Sequence, residues 1–215
     1  MGDRKGSEMK IGIIGAGMVG RAVGAVAVKH GHEVMLSNSR NPDTLFTLVR
    51  TLGVRAGTPQ EAAEFGDIVV VAIPLKAYRE VPVRPLEGKI VIDANNYYPD
   101  RDGQIPELDT GRSTTSELLA RFLPKSKVVK TFNSIQAPDI EKEGFLPDST
   151  ERRAHPIAGD DQAAKDVVGG LLKEFGFIPV NVGPLAEGWR FERGTPAYCV
   201  PLDETGLRSV LAKAK

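Results

Sequence analysis

The sequence predicts an α/β fold: a doubly wound, mainly parallel sheet with a small C-terminal α/β extension. Three observations lead there. From Lys10 onward, short β-branched runs alternate with longer helix-patterned segments, the rhythm of a parallel sheet wrapped by helices. Several of those runs are nearly all apolar, as strands buried on both faces are. The first run leads directly into Gly15-Ala16-Gly17-Met18-Val19-Gly20, which makes the architecture Rossmann-like.

Strands are predicted over residues 10–14, 33–37, 54–56, 67–73, 89–93 and 127–132. The helix after the second strand is well punctuated. Asn41 caps it, Pro42 takes its first position, Leu45, Leu48, Val49 and Leu52 share one face, and Gly53 stops it. Thr58-Pro59-Gln60-Glu61 and Thr114-Thr115-Ser116-Glu117 open two further helices as capping boxes. The pattern then continues with a strand over 154–158, a helix over 160–175, a strand over 177–182, a short helix over 184–193 and a weak terminal helix over 207–213. The expected organisation is a flexible N-terminus at 1–9, a dinucleotide-binding domain at 10–150, and an extension at 151–215. The extension is expected to pack on the same sheet and cover a second-substrate cleft.

The 215 residues carry 28 Lys+Arg against 28 Asp+Glu, so no basic footprint for nucleic acid is present. With 41% hydrophobic and 26% charged residues, the chain reads as an ordinary globular protein. No apolar run reaches the ~20 residues that span a bilayer, and residues 1–9 lack the apolar core of a signal peptide, so a cytoplasmic protein without a membrane partner is expected. A single cysteine, Cys199, excludes an internal disulfide and a cysteine-cluster metal site. His30, His32 and His155 lack zinc-ligand spacing. The first two are expected to be solvated or to cap a helix end.

Strand, glycine motif and helix in register predict dinucleotide binding. Gly15 permits the tight turn, Gly17 lets a pyrophosphate approach the backbone, and Gly20 lets helix and strand pack closely. Cofactor choice is read at the end of the second strand, where NAD binders carry an acidic residue. Here the run is Ser37-Asn38-Ser39-Arg40-Asn41, a hydroxyl and a guanidinium suited to the additional phosphate of NADP. Ile73 and Pro74 end the fourth strand and are expected beside the nicotinamide. Ala94 and Asn95, within Asp93-Ala94-Asn95-Asn96-Tyr97-Tyr98, reach the same edge, with a plain loop of turn formers as the alternative.

Reduction of a carbonyl or imine needs a positioned proton donor. Lys130, inside a predicted strand, and His155, at the start of another, sit in no recognisable catalytic motif. Hydride passing between two cofactor rings is less demanding, because positioning and water exclusion supply much of the catalysis. The chain beyond residue 150 is also too short for the large helical domain that completes many imine and hydroxyacid reductases.

Over roughly residues 9–193 the chain resembles the coenzyme F-420-dependent NADP reductases and the related reductase domains of six-transmembrane ferrireductases. The resemblance rests on the glycine loop, on Ser39-Arg40-Asn41-Pro42 and on Ile73-Pro74. It extends through Val128-Val129-Lys130-Thr131-Phe132-Asn133, Pro156-Ile157-Ala158-Gly159-Asp160-Asp161, Gly176-Phe177-Ile178-Pro179-Val180 and Gly183-Pro184-Leu185. It implies that Ser39 and Arg40 hold the 2′-phosphate of NADP, that Ile73 and Pro74 flank the nicotinamide, and that residues 133–137 face a flavin-like partner. It further implies direct hydride transfer with no side chain acting as acid or base. The sequence departs from the deazaflavin reductases at Gly194-Thr195-Pro196-Ala197-Tyr198-Cys199, where those continue into an apolar helix.

The expected activity is therefore hydride transfer between NADP(H) and FMN, FAD or coenzyme F-420. The cofactor-binding candidates are Gly15, Ala16, Gly17, Met18, Val19, Gly20, Asn38, Ser39, Arg40, Ile73, Pro74, Ala94 and Asn95. Asn133, Ser134, Ile135 and Trp189 are expected in the acceptor pocket, with Trp189, Tyr97 and Tyr98 available to stack on a ring. A homodimer is expected, because the terminal segment alone is small for sealing a two-cofactor cleft. The alternatives are a small imine or carbonyl reductase using Tyr97, Tyr98 or water as acid, and an NADPH-binding sensor module.

Overall fold

A computed structural model describes residues 8–144 and 152–214. Its eight strands are β1 (Lys10–Ile14), β2 (Glu33–Ser37), β3 (Arg55–Gly57), β4 (Ile68–Val71), β5 (Ile90–Asp93), β6 (Lys127–Lys130), β7 (Ala154–Gly159) and β8 (Ile178–Gly183). They form one sheet in the order β3-β2-β1-β4-β5-β6-β7-β8. All neighbours pair in parallel except β6 and β7, which run antiparallel. The order reverses between β1 and β4, the switch point at which ligands bind in open sheets of this kind.

Alternate residues of the central strands feed opposite faces. Ile11, Ile13, Val70, Ile92 and Val129 join one core, with the helices α1 (Met18–Lys29) and α2 (Phe46–Leu52) against it. Ile14, Val69, Val71, Val91 and Val128 join the other, beneath α3 (Pro59–Phe65). Two single-turn helices follow β5, α4 (Pro99–Asp102) and α5 (Pro106–Asp109), and then α6 (Thr115–Phe122) closes on the second face. On the first face, α7 (Ala137–Gly144) packs against α1, and α8 (Gln162–Glu174) covers β6 to β8. The C-terminal helix α9 (Glu204–Lys213) packs on β7 and β8 in a third, smaller core with Phe191 and Ala197.

The predicted caps form. Asn41 accepts from the Asp43 N–H, and Thr58 and Thr114 each complete a capping box with Glu61 and Glu117. The segment after Asn41 begins as a 3-10 turn before α2, and 185–191 is also 3-10.

Two strands stop earlier than the sequence predicts. β4 ends at Val71 because the Ile73 N–H donates to the Asn95 side-chain oxygen at 2.8 Å in place of a ladder partner. β6 ends at Lys130 because the backbone turns over at Phe132, whose φ is +62°.

The expectation for His32 needs correction: it is buried, because its Nδ1 accepts the Met9 N–H and its ring packs near Phe175. The same bond ties Met9 down, within the segment expected to be flexible; residues 1–7 of that segment lie outside the described residues. The boundary expected at 150–151 lies there too. Among the described residues, no helix is long and apolar enough to cross a membrane.

Candidate functional site

A cleft of about 760 Å³ opens at the carboxyl ends of β1, β2 and β4. Gly15, Ala16 and Gly17 form one wall, Asn38, Ser39 and Arg40 a second, and Ala72, Ile73 and Pro74 a third. The glycines have distinct reasons to be there. Gly15 has φ +117°, and a Cβ on it would overlap the Ala72 carbonyl. A Cβ on Gly20 would overlap the Gly15 carbonyl, so this buried position holds α1 against its own loop. Gly17 has open space where a Cβ would stand, and it caps α1 without a side chain of its own. No acidic residue lies in the first turn of α1, so its unpaired N–H groups and partial positive charge are left for an anion.

At the tip of β2, Asn38 is used internally. Its amide nitrogen donates to Thr44 Oγ1 at 2.9 Å and its oxygen accepts the Arg40 N–H at 2.9 Å. That turn leaves the Ser39 and Arg40 side chains exposed at the cleft. Among the described lining residues, Arg40 and Lys76 bring positive charge, and Glu80 is the one carboxylate.

The other predicted cofactor residues stand outside this lining. Met18 is 72% exposed at the start of α1, and Val19 packs against the main core. Ala94 and Asn95 are buried. Asn95 supports the third wall through its bond to the Ile73 N–H, and its own Nδ2 has no partner.

Asn133, Ser134 and Ile135 come together at the carboxyl end of β6, but all three are buried, and Ile135 belongs to the main core rather than to an open pocket wall. Asn133 Nδ2 donates to the Phe191 carbonyl at 3.0 Å and to Asn96 Oδ1 at 3.2 Å, joining the loops after β5 and β6. Asn133 Oδ1 and Ser134 Oγ have no partner.

The predicted stacking aromatics are already engaged. Arg190 lies over the Trp189 ring at 4.7 Å, and Arg101 and Arg193 lie over Tyr98 at 4.7 and 5.0 Å. The Tyr98 hydroxyl bonds that of Tyr198 at 2.7 Å, and the Tyr97 hydroxyl bonds Asp109 at 2.7 Å. Their rings therefore serve the packing of the C-terminal segment and of the loop after β5.

Sequence reasoning missed the polar network beneath this edge. Lys130 is 0% exposed, with Nζ 2.6 Å from Thr115 Oγ1, 3.0 Å from Glu192 and 3.4 Å from the Asn95 carbonyl. Beside it Asp93, wholly buried, accepts from Ser116 Oγ at 2.5 Å and from the Asn95 N–H at 3.0 Å. Burial pushes the Asp93 carboxyl above the usual range against the pull of Lys130. Burial also pushes Glu192 up, but the Lys130 charge and the Thr115 hydroxyl outweigh it and hold Glu192 low. The signal available in the sequence was a lysine closing the apolar run Val128-Val129. Its partner Glu192, 62 positions away, was not readable from that run.

The family model described as NADP oxidoreductase, coenzyme F420-dependent, matches residues 10–97, from β1 through β5 to Tyr97. This match covers less than half of the chain. The matched stretch contains every residue that lines the cleft.

Over a longer span, the chain is 29% identical across 198 residues to metalloreductase STEAP3 of Rattus norvegicus, covering 89% of this chain and 38% of the relative. The chain thus spans about two fifths of the length of the curated relative it matches. Among solved structures, the hypothetical protein SMa0349 of Sinorhizobium meliloti is 28% identical with a TM-score of 0.78, covering 91% of this chain and 95% of that one. A protein of Arthrobacter sp. FB24, provisionally named an F420-dependent NADP-reductase, is 26% identical with a TM-score of 0.73, covering 84% and 87%.

Proposed function

We propose that the protein is an NADPH-dependent oxidoreductase that passes hydride between NADP(H) and a flavin or deazaflavin, with FMN, FAD and coenzyme F-420 as the acceptor class. The observation that carries this reading is the makeup of the cleft. It joins a bare helix N-terminus, an Arg40-Ser39 end without a carboxylate on β2, and an Ala72-Ile73-Pro74 wall.

These residues fit NADP. The open space at Gly17 lets a pyrophosphate reach the N–H groups of α1, Ser39 and Arg40 take the 2′-phosphate, and Ile73 and Pro74 shield the nicotinamide from water. NADPH held there would supply a hydride from C4 of its nicotinamide, and the acceptor would take that hydride together with one solvent proton, so that NADP+ and the reduced acceptor would result. The protein's work in this reading is alignment and water exclusion. Lys130 and His155, two of the groups considered as proton donors, are 0% and 1% exposed and already bonded within the fold, and the Tyr97 and Tyr98 hydroxyls are engaged with Asp109 and Tyr198, which favours ring-to-ring transfer over reduction of a carbonyl. The same reading takes the protein as a cytoplasmic homodimer acting on a small-molecule acceptor.

The test follows NADPH absorbance with FMN, FAD and the deazaflavin in parallel, and measures mass by light scattering. Oxidation accelerated by one acceptor is expected, from a dimer. NADPH binding with no acceptor reduced would discard the flavin reading and bring forward the carbonyl-reductase and sensor alternatives, and a monomer would discard the dimer.

A further inference from the structure

Two non-glycine residues among those described have positive φ, Phe132 at +62° and Cys199 at +57°; Phe132 opens the three-residue loop at 132–134, and the Cys199 N–H bonds into that loop. A bulky residue in this region is a conformational outlier, costing about 1–2 kcal/mol, and persists only where surrounding structure imposes it. At Phe132 the imposing group is identifiable. Its N–H, turned out of the β6 ladder, donates to Nε2 of His155 on β7 at 2.9 Å. The two rings also pack at 5.5 Å, with Phe177 beside both. On the other side of the loop, the Cys199 N–H donates to the Ser134 carbonyl at 3.0 Å, and Asn96 Nδ2 donates to the Asn133 carbonyl at 2.8 Å.

Packing alone does not call for an imidazole at residue 155. A phenyl or isobutyl group would fill the site without a polar penalty, whereas the imidazole leaves Nδ1 buried and without a partner. Since Nε2 accepts a hydrogen bond, the neutral ring carries its proton on Nδ1. The fold thus tolerates an orphaned donor in exchange for one acceptor placed under the Phe132 N–H. Without it, that buried N–H would itself be unpaired. The loop so fixed carries Asn133 Oδ1 and Ser134 Oγ, two buried polar atoms that no group of the described protein satisfies.

We infer that His155 is a positioning residue: through the Phe132 N–H it holds the loop at 132–134, which Asn96 ties to the Asn95 segment that supports the Ile73 wall of the cleft. The inference rests on the acceptor reading above for its catalytic consequence, and on the bond geometry for the positioning itself. His155 touches no reacting atom in it.

Two variants test it, His155→Leu, which removes the acceptor, and His155→Gln, which keeps one. NADPH affinity, kcat and KM for the acceptor, and hydrogen exchange of the Phe132 amide are measured on each. His155→Leu is expected to bind NADPH within about twofold of the parent, to lose about tenfold or more in kcat/KM for the acceptor, and to exchange the Phe132 amide about tenfold or more faster. His155→Gln is expected to recover most of both losses.

An unchanged kcat/KM in His155→Leu overturns the inference, as does an equal loss of NADPH affinity or a His155→Gln no better than Leu. If His155→Leu does not fold, nitrogen NMR of the parent's histidines decides: a proton on Nδ1 supports the inference and one on Nε2 overturns it. If the parent reduces no acceptor, the proposed function fails on that result, and exchange of the Phe132 amide alone judges the positioning.

Discussion

Arg40 stands at the tip of β2 with its side chain in solvent, and the backbone beneath it is fixed by Asn38. An exposed guanidinium of this kind contributes little to folding, so it is a clean probe of what the cleft binds. Arg40→Ala is expected to weaken NADPH binding by about tenfold or more while leaving NADH binding and the unfolding midpoint nearly unchanged, because a charge-assisted pair with the 2′-phosphate is worth about 1.5–3 kcal/mol. Titration of both nucleotides by fluorescence checks it. Equal weakening of NADPH and NADH would show that Arg40 does not read that phosphate.

At the scale of elements, the Lys130 network binds together parts that are distant in sequence. β6 supplies Lys130, β5 leads into Asn95, α6 supplies Thr115, and Glu192 follows the 3-10 segment of the C-terminal extension. Gly188 in that segment belongs to the arrangement, since a Cβ there would stand 2.8 Å from Lys130 Cδ. Removing one partner of a buried ion pair leaves the other uncompensated, which costs about 3–5 kcal/mol, whereas neutralising both costs much less. Lys130→Met is therefore expected to lower the urea midpoint strongly, and Lys130→Met with Glu192→Gln to recover part of the loss. Denaturation of the single and double variants measures this, and a double variant as unstable as the sum of the singles would deny the pairing.

At the scale of the whole molecule, the buried histidines contribute to how the fold answers acid. Burial, with the Arg153 charge adding to it, lowers the His155 pKa to about 3, and burial also lowers that of His32, against the pull of Glu174. An unfolded chain takes up protons at both below about pH 6.5, while folded His155 does not until about pH 3. A depressed folded pKa therefore gives stability that is complete above about pH 6.5 and is lost as pH falls toward 3, at up to about 1.4 kcal/mol per pH unit for one group. Urea unfolding between about pH 7 and pH 4 is expected to show this slope, flattened by about one proton in His155→Gln. Parallel profiles for the two proteins would mean that His155 titrates in the folded state.

The sequence by itself determined the alternation of strands and helices, the three capping devices at Asn41, Thr58 and Thr114, and the glycine loop with Ser39 and Arg40. These were legible because each is local: a cap needs no more than four consecutive positions, a buried strand declares itself by its apolar run, and a helix N-terminus lies beside the turn that makes it. What tertiary structure decided is long-range pairing. The antiparallel turn of β7 against β6, the burial of His32, the Lys130–Glu192 pair, and the occupation of Tyr98 and Trp189 by arginines all depend on segments brought together only by folding. So does the early end of β6, where the backbone of Phe132 takes an unfavourable φ because His155, 23 positions along the chain, is placed to accept its N–H. A local pattern carries no record of such partners, since the free energy of each bond arises only when both groups leave water at the same place.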